Sequence, residues 1–386
     1  METFDLIVVG AGIVGLSTAW RARKAGAKVL VLDKGATAYE ASSRATGLLS
    51  LCGASPLEAP LAQEAEKLWD RLDEDLGYPT EWSQKGRLWV AITPAELDEL
   101  KVTFQTFQRT YDDFEFVDAQ TCRSIVPPLT PDTLGGLYTR RSGNANPQRT
   151  SQAFAWAFQD LGGEIREHTP VLEILAEGGE VKGVRTPLGA VHAASVVVCA
   201  GAHAAPLLAP LGLEFPVAPV RFDAFVTTPL PPLFEAALVV HGLAVRQTLR
   251  GNIHLNGGPH EWVEAGVAND MPKPVTPLVR NIAKRLIEVF PSLRSAQMLR
   301  SWSGILDVTP DQATVVHPFD TPSGLIACSS AGHGFGMAPS LSVALSDLAL
   351  HGKTDMPVAA LTLDRFGKLP KDWRRAWNWQ AGNYNT

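Results

Sequence analysis

The chain opens on an unbroken apolar run, Asp5-Leu6-Ile7-Val8-Val9, in which no polar residue alternates. That pattern predicts a short strand buried on both faces, as parallel sheets require. After a cluster of glycines the period changes. Ala19, Trp20, Ala22 and Ala25 recur at helical spacing, and Gly26 stands just past the last turn. A second apolar run, Lys28-Val29-Leu30-Val31-Leu32, ends in Asp33. Strand, glycine turn, helix and strand over residues 5–33 make a βαβ unit.

Further along, helices are predicted over Pro60–Leu76, Glu96–Thr110, Pro147–Leu161, Pro277–Phe290 and Met337–Leu350. Pro170–Leu175 reads as a strand, and Val181–Thr186 with Gly189–His192 as a hairpin. Ser195–Cys199 and Gly324–Cys328 repeat the buried-strand pattern. Arg87–Ile92, Val217–Thr228, Leu243–Thr248 and Asn252–Asn256 alternate apolar and polar positions, which fits a sheet with one face packed. The expected fold class is α/β: a Rossmann-like parallel-sheet domain over 1–85, 145–215 and 305–386. It is interleaved with an α+β domain of mainly antiparallel strands over 86–144 and 216–304.

Composition narrows the partners. A net charge of −6 and no long basic run argue against a nucleic-acid surface. The four cysteines, Cys52, Cys122, Cys199 and Cys328, form no Cys-x-x-Cys pair, so neither a disulfide framework nor a zinc site is expected. Pro206, Pro210, Pro216 and Pro219 interrupt the most apolar region, where a span of about 20 residues would be needed to cross a membrane. The acidic start, Met1-Glu2-Thr3-Phe4-Asp5, is unlike a secretory signal, and a cytoplasmic location is expected.

Gly10-Ala11-Gly12-Ile13-Val14-Gly15 matches G-x-G-x-x-G between a strand and a helix. Gly10 permits the tight turn, Gly12 lets backbone approach a pyrophosphate, and Gly15 lets helix and sheet pack closely. The helix start offers N–H groups and a positive dipole end to phosphates. Asp33 is placed to accept from adenosine ribose hydroxyls. This fingerprint leaves NAD and FAD both open.

Three further segments carry a resemblance: Glu40-Ala41-Ser42-Ser43-Arg44-Ala45-Thr46-Gly47-Leu48-Leu49, Arg300–Asp311, and Ser330-Ala331-Gly332-His333-Gly334-Phe335-Gly336-Met337-Ala338-Pro339. With Leu363-Asp364-Arg365-Phe366 following, their order and spacing resemble the D-amino-acid oxidase superfamily. The subgroup of sarcosine oxidase and D-hydroxyproline or opine dehydrogenase β subunits is most similar; Arg246-Gln247-Thr248 with Gly251, and Asn144–Pro147, support it. The resemblance implies non-covalent FAD, since no cysteine lies near Val308–Pro310, where several relatives attach flavin. It implies adenine and ribose contacts from Asp33, Lys34 and the Val171 backbone, and pyrophosphate contacts from Ser42 and Ser43. Gly47, Leu48 and Leu49 would line the flavin, with Gly201 and Gly304 also beside the cofactor. The Gly332–Met337 turn (Gly332, His333, Gly334, Phe335, Gly336, Met337) would meet the flavin's pyrimidine edge, where a helix dipole favours the negative charge of reduced flavin.

The resemblance also implies hydride transfer from a carbon beside nitrogen to flavin N5, giving an imine that water hydrolyses. Positioning would then matter more than a strong base. His333 is the candidate active-site polar group; a backbone-bonded turn histidine is the alternative. Glycine oxidases carry arginines where this chain has Leu306 and Gly332, so a carboxylate would fall to Arg246 or Arg44. Asp311 is read as bracing a turn. No metal site is expected. The expected partners are a small amine or amino acid and, in one reading, other subunits of a heteromeric dehydrogenase. A peroxide-forming oxidase, a non-catalytic flavin-binding subunit and an NAD-dependent dehydrogenase stay open alongside.

Overall fold

The computed structural model describes residues 2–49, 55–263 and 273–374. Its first sheet runs, in spatial order, Val315–Pro318, Leu325–Ser329, Gly189–Val198, Thr3–Val9, Val29–Leu32 and Glu164–Arg166. All neighbours are parallel except the outermost pair, Val315–Pro318 with Leu325–Ser329. The strands Glu173–Glu177 and Glu180–Thr186 extend it through the antiparallel partner Gly189–Val198.

Both faces of this sheet are buried, which explains the unbroken apolar runs. Leu6, Val8, Val29 and Val31 point into a core shared with the helices Ile13–Lys24, Pro147–Asp160 and Gly334–His351. Ile7, Val9, Leu30 and Leu32 point into a second core on the opposite face.

The second sheet, nine-stranded among the described residues, is mainly antiparallel. Ala218–Thr227 sits between Met298–Val308 and Ile253–Gly257, and Leu243–Gln247 follows. One face is apolar: Phe225, Leu243, Val245, Ile253 and Leu255 pack with Ile282 and Leu286 of the helix Thr276–Val289. The other face is freed for polar chemistry. Met298–Val308 pairs with Ala218 through Thr227 along its length, so residues 305–308 lie in this sheet, beyond the border read at 305.

Three elements differ from expectation. The Pro60–Leu76 helix is two helices, Ala59–Trp69 and Leu72–Leu76; the break lets Leu72 and Leu76 enter the core before Gly77 ends the turn with φ +73°. Pro170–Leu172 is an extended connection and the strand begins at Glu173, since Pro170 lacks an N–H for a ladder. The last long helix begins at Gly334, which puts Pro339 inside it instead of in its first turn. No helix among the described residues is long and apolar enough to cross a membrane.

Candidate functional site

The carboxyl ends of the parallel strands converge on the glycine turn. Gly10 has φ +110°, and a side chain there would meet the Cys199 carbonyl oxygen at 2.4 Å; no other residue fits. A Cβ on Gly15 would lie 2.0 Å from the Gly10 carbonyl, so the helix seats directly on the turn. Gly12 precedes the helix Ile13–Lys24. A Cβ on it would come 3.1 Å from Ser42 Oγ, which itself accepts from Ile13 N–H at 2.9 Å. Gly12, Ile13 and Ser42 thus border one small space at a helix N-terminus, with Val14 in the same first turn, and this geometry suits a phosphate. Ser43 spends its hydroxyl on Tyr39 O.

Asp33 accepts from Ala11 N–H at 2.6 Å and Gly35 N–H at 2.7 Å. Burial raises its pKa, against the two N–H bonds. Each oxygen keeps a lone pair for a hydroxyl donor. The backbone leading to Val171 runs alongside: Thr169 N–H donates to the Asp33 carbonyl and His168 N–H to that of Gly35. Lys34 Nζ lies 3.1 Å from Glu40 Oε1 and 3.1 Å from His203 Nε2. His203 belongs to the short turn that Gly201 opens, and it contacts Glu40 at 3.1 Å. Burial pushes Glu40 up, but His203 and Lys34 outweigh it and hold the carboxyl at about 2.

The second stretch begins at Gly47, whose φ is +87° and whose Cβ would strike the Ala145 carbonyl at 2.2 Å. Leu48–Leu49 pairs with Gly143–Asn144 and packs against the helix Gly334–His351. Leu49, Phe335 and Met337 share one core. The two segments expected to enclose a flavin are therefore neighbours. The helix's first N–H groups belong to Gly334, Phe335 and Gly336, ahead of the first intrahelical bond, from Met337 N–H to His333 O. Asp307, which sequence reading passed over, fixes the turn: it accepts from Ser329 Oγ, Ser330 N–H and Gly332 N–H at 2.8, 2.8 and 3.3 Å. Asp311 does brace a turn, accepting from Thr309 Oγ1, Ala313 N–H and Arg365.

Three buried polar atoms without a hydrogen-bond partner among the described residues surround this region: Thr46 Oγ1, His254 Nε2 and His333 Nδ1. Each such atom costs about 1–3 kcal/mol if left unpaired, so a bound ligand is the expected remedy. Together with the side-chain-free cradle at Gly12, they fit a dinucleotide cofactor.

The open face of the second sheet carries the candidate substrate-side groups. Arg246, His254, Val226 and Arg300 occupy one rung across four adjacent strands. All four line a cavity of about 890 Å³, with Trp302 and Glu81. Arg246 is 3% exposed, donates Nε–H to Thr46 O beside Gly47, and has no carboxylate partner among the described residues. Burial lowers its pKa to about 10, against the weaker opposing pull of the Glu81 carboxylate in the same lining. Burial and the Arg246 charge push His254 down to about 3, so the imidazole is neutral. Arg44 does not line this cavity; its donors go to the carbonyls of Tyr39 and Ser303 at 3.0 and 2.9 Å. Leu306 lies 3.6 Å from where a Gly332 Cβ would stand, so these two positions face each other. The space at Gly304 is filled by the Phe222 ring. His333 caps the last helix, and its N–H donates to Ser330 O. His254 was missed in the sequence because only strand register brings it opposite Arg246.

Residues 5–348 match the family described as DAO, FAD dependent oxidoreductase. The chain is 26% identical over 376 residues to sarcosine oxidase subunit beta of Rhodobacter capsulatus, covering 95% of this chain and 89% of that one. It is 27% identical to glycine oxidase of Geobacillus kaustophilus, covering 95% and 98%. Dimethylglycine dehydrogenase of Rattus norvegicus matches at 25% identity, but over only 45% of its own length. Among solved structures, L-proline dehydrogenase from P. horikoshii superposes with a TM-score of 0.87 at 24% identity, covering 96% of this chain and all of that one. That likeness establishes the fold.

Proposed function

Because the chain belongs to the DAO family of FAD-dependent oxidoreductases, we propose that it oxidises the carbon–nitrogen bond of a small amino acid or secondary amine, sarcosine-, D-hydroxyproline- or opine-like. The observation that carries this reading is Arg246. A buried guanidinium without a carboxylate partner among the described residues lines a large cavity beside the Gly47–Leu49 segment. Such a charge is costly unless an anion completes it, and the planar fork matches a carboxylate.

Gly12, Ile13, Ser42, Asp33 and Lys34 would hold the adenosine diphosphate half of the cofactor. Gly47–Leu49 and the start of the helix at Gly334 would hold the ring. FAD bound there supplies the acceptor for the hydride on the carbon beside nitrogen. Arg246 would orient the substrate by its carboxylate, and neutral His254 adds no second positive charge to deter an amine. Leu306, which lies over Gly332, would present an apolar surface at the turn that opens the last helix. The described thiols support non-covalent FAD: burial pushes Cys122 to about 11, Cys199 to about 12 and Cys328 well upward, so none is a thiolate nucleophile. Cys52 lies outside the described residues.

Electrons would pass to partner subunits, a reading supported by likeness to a protein named as a subunit. The free-standing, peroxide-forming oxidase is the second reading, favoured by the end-to-end match to a glycine oxidase. Anaerobic titration of the yellow protein with a panel of amines tests the proposal. Bleaching by an N-substituted amino acid supports it, and peroxide formation after air is admitted selects the second reading. A flavin that no amine bleaches would refute catalysis and leave a binding subunit.

A further inference from the structure

We propose that the substrate carries a second anionic group on its nitrogen substituent, received by Arg300 at the cavity mouth while Arg246 holds the first carboxylate inside. This rests on the amine-oxidising reading above and narrows its substrate class. The geometry is a single rung of the sheet: Arg246 faces His254, His254 faces Val226, and Val226 faces Arg300. At about 4.8 Å per strand, the two arginine backbones stand about 14 Å apart. The inner arginine is buried and bonded to Thr46 O; the outer one is exposed.

Charge accounting points the same way. The cavity lining holds four arginines and one glutamate. Glu81 is paired with Arg149, whose Nε lies 2.5 Å from Oε1, and acts on Arg246 only as a weaker, longer-range charge. Arg246, Arg250 and Arg300 remain without a carboxylate partner among the described residues. Arg250 stands beside the mouth on the turn closed by Gly251 N–H to Thr248 O at 2.8 Å. Between the two cations on this rung stand the neutral His254 and the apolar Val226, with Trp302 also lining the cavity. The cleft is open to solvent and, at about 890 Å³, has room for more than a glycine-sized molecule. Two cations about 14 Å apart on one rung, with no charge on the side chains between them, suit an extended, doubly anionic amine.

The test uses the FAD-loaded full chain and three matched probes: N-(4-carboxybutyl)glycine, its terminal amide, and the analogue ending in sulfonate. Anaerobic stopped-flow bleaching gives the reduction rate over the apparent Kd for each. The acid and the sulfonate should exceed the amide by about fivefold or more, and the ratio should shrink in 0.5 M salt (about a 4 Å Debye length). Arg300→Gln should bring the acid-to-amide ratio close to one. Equal values for acid and amide in the unmodified protein, or a ratio that survives Arg300→Gln, overturn the inference. If sarcosine bleaches the flavin as efficiently as the acid probe, only this inference falls. If no amine bleaches it, the parent reading falls with it.

Discussion

Replacing Arg246 by methionine separates a substrate-holding arginine from a structural one, because the two roles predict opposite pairs of effects. Burial lowers the guanidinium pKa to about 10 from an ordinary value near 12.5, a penalty on the charged form of about 3 kcal/mol. Offsetting this, the charged hydrogen bond to Thr46 O contributes about 1.5–3 kcal/mol. The difference is at most about 1.5 kcal/mol, so Arg246→Met, which keeps the stem and removes the guanidinium, should move stability by no more than about 1.5 kcal/mol. Substrate binding should suffer far more. Truncating one partner of a buried charge pair costs about 2–5 kcal/mol, or roughly 30- to several-thousand-fold in apparent Kd. Calorimetric unfolding of the flavin-loaded protein reads the first quantity and anaerobic bleaching reads the second. A variant with a large drop in Tm and an unchanged Kd would show that Arg246 serves the fold, and the assignment of the carboxylate site would fail.

Gly12→Val should abolish flavin retention, since even a Cβ reaches 3.1 Å from Ser42 Oγ and two further carbons would fill the space beside it; absorbance of the purified variant checks this, and a normal flavin content would displace the site. His254 is neutral in the folded chain down to about pH 3, whereas an unfolded histidine protonates near 6.5. The unfolded state therefore binds the extra proton between these values, and stability falls as pH drops from about 6.5 toward 3. His254→Asn should flatten that fall in Tm measured across pH 7 to 4, and an unaltered slope would refute it. Precipitating the protein with acid or denaturing it in urea should release all the flavin to the supernatant; yellow colour retained in the pellet would contradict non-covalent binding.

The fold was legible where its determinants are local. Unbroken β-branched runs announce strands buried on both faces, and the glycine fingerprint with Asp33 announces the turn between them. One local signal went unread: Thr93 with Glu96 forms a capping box that starts the helix at Pro94, ahead of the Glu96 start expected. The site's polar groups were less legible because register decides their meaning. His254 is one position in an alternating strand until pairing sets it opposite Arg246. Asp307 is one acid in a long strand until the Ser329–Gly332 turn brings its donors to it. Arg44 invites a substrate role beside Gly47, yet two carbonyls and the Tyr39 ring occupy it.

The two sheets divide the work because they are buried differently. A parallel sheet covered on both faces has no free surface for chemistry, so its ligand groups can stand only at strand ends: Gly10, Asp33, Gly201 and the Ser329–Gly332 turn all follow carboxyl termini of strands. The antiparallel sheet needs one apolar face to pack its helix, which releases the alternate residues for cations and a neutral imidazole. The proposed cofactor and substrate groups would meet where Thr46, the residue before the Gly47 turn, accepts from Arg246. A one-residue slip in the Leu243–Gln247 register would carry Arg246 into the apolar core and Val245 into the cavity. The cost of burying that charge among Leu255, Ile282 and Leu286 is what holds the register, so the group proposed to bind substrate also specifies the strand that presents it.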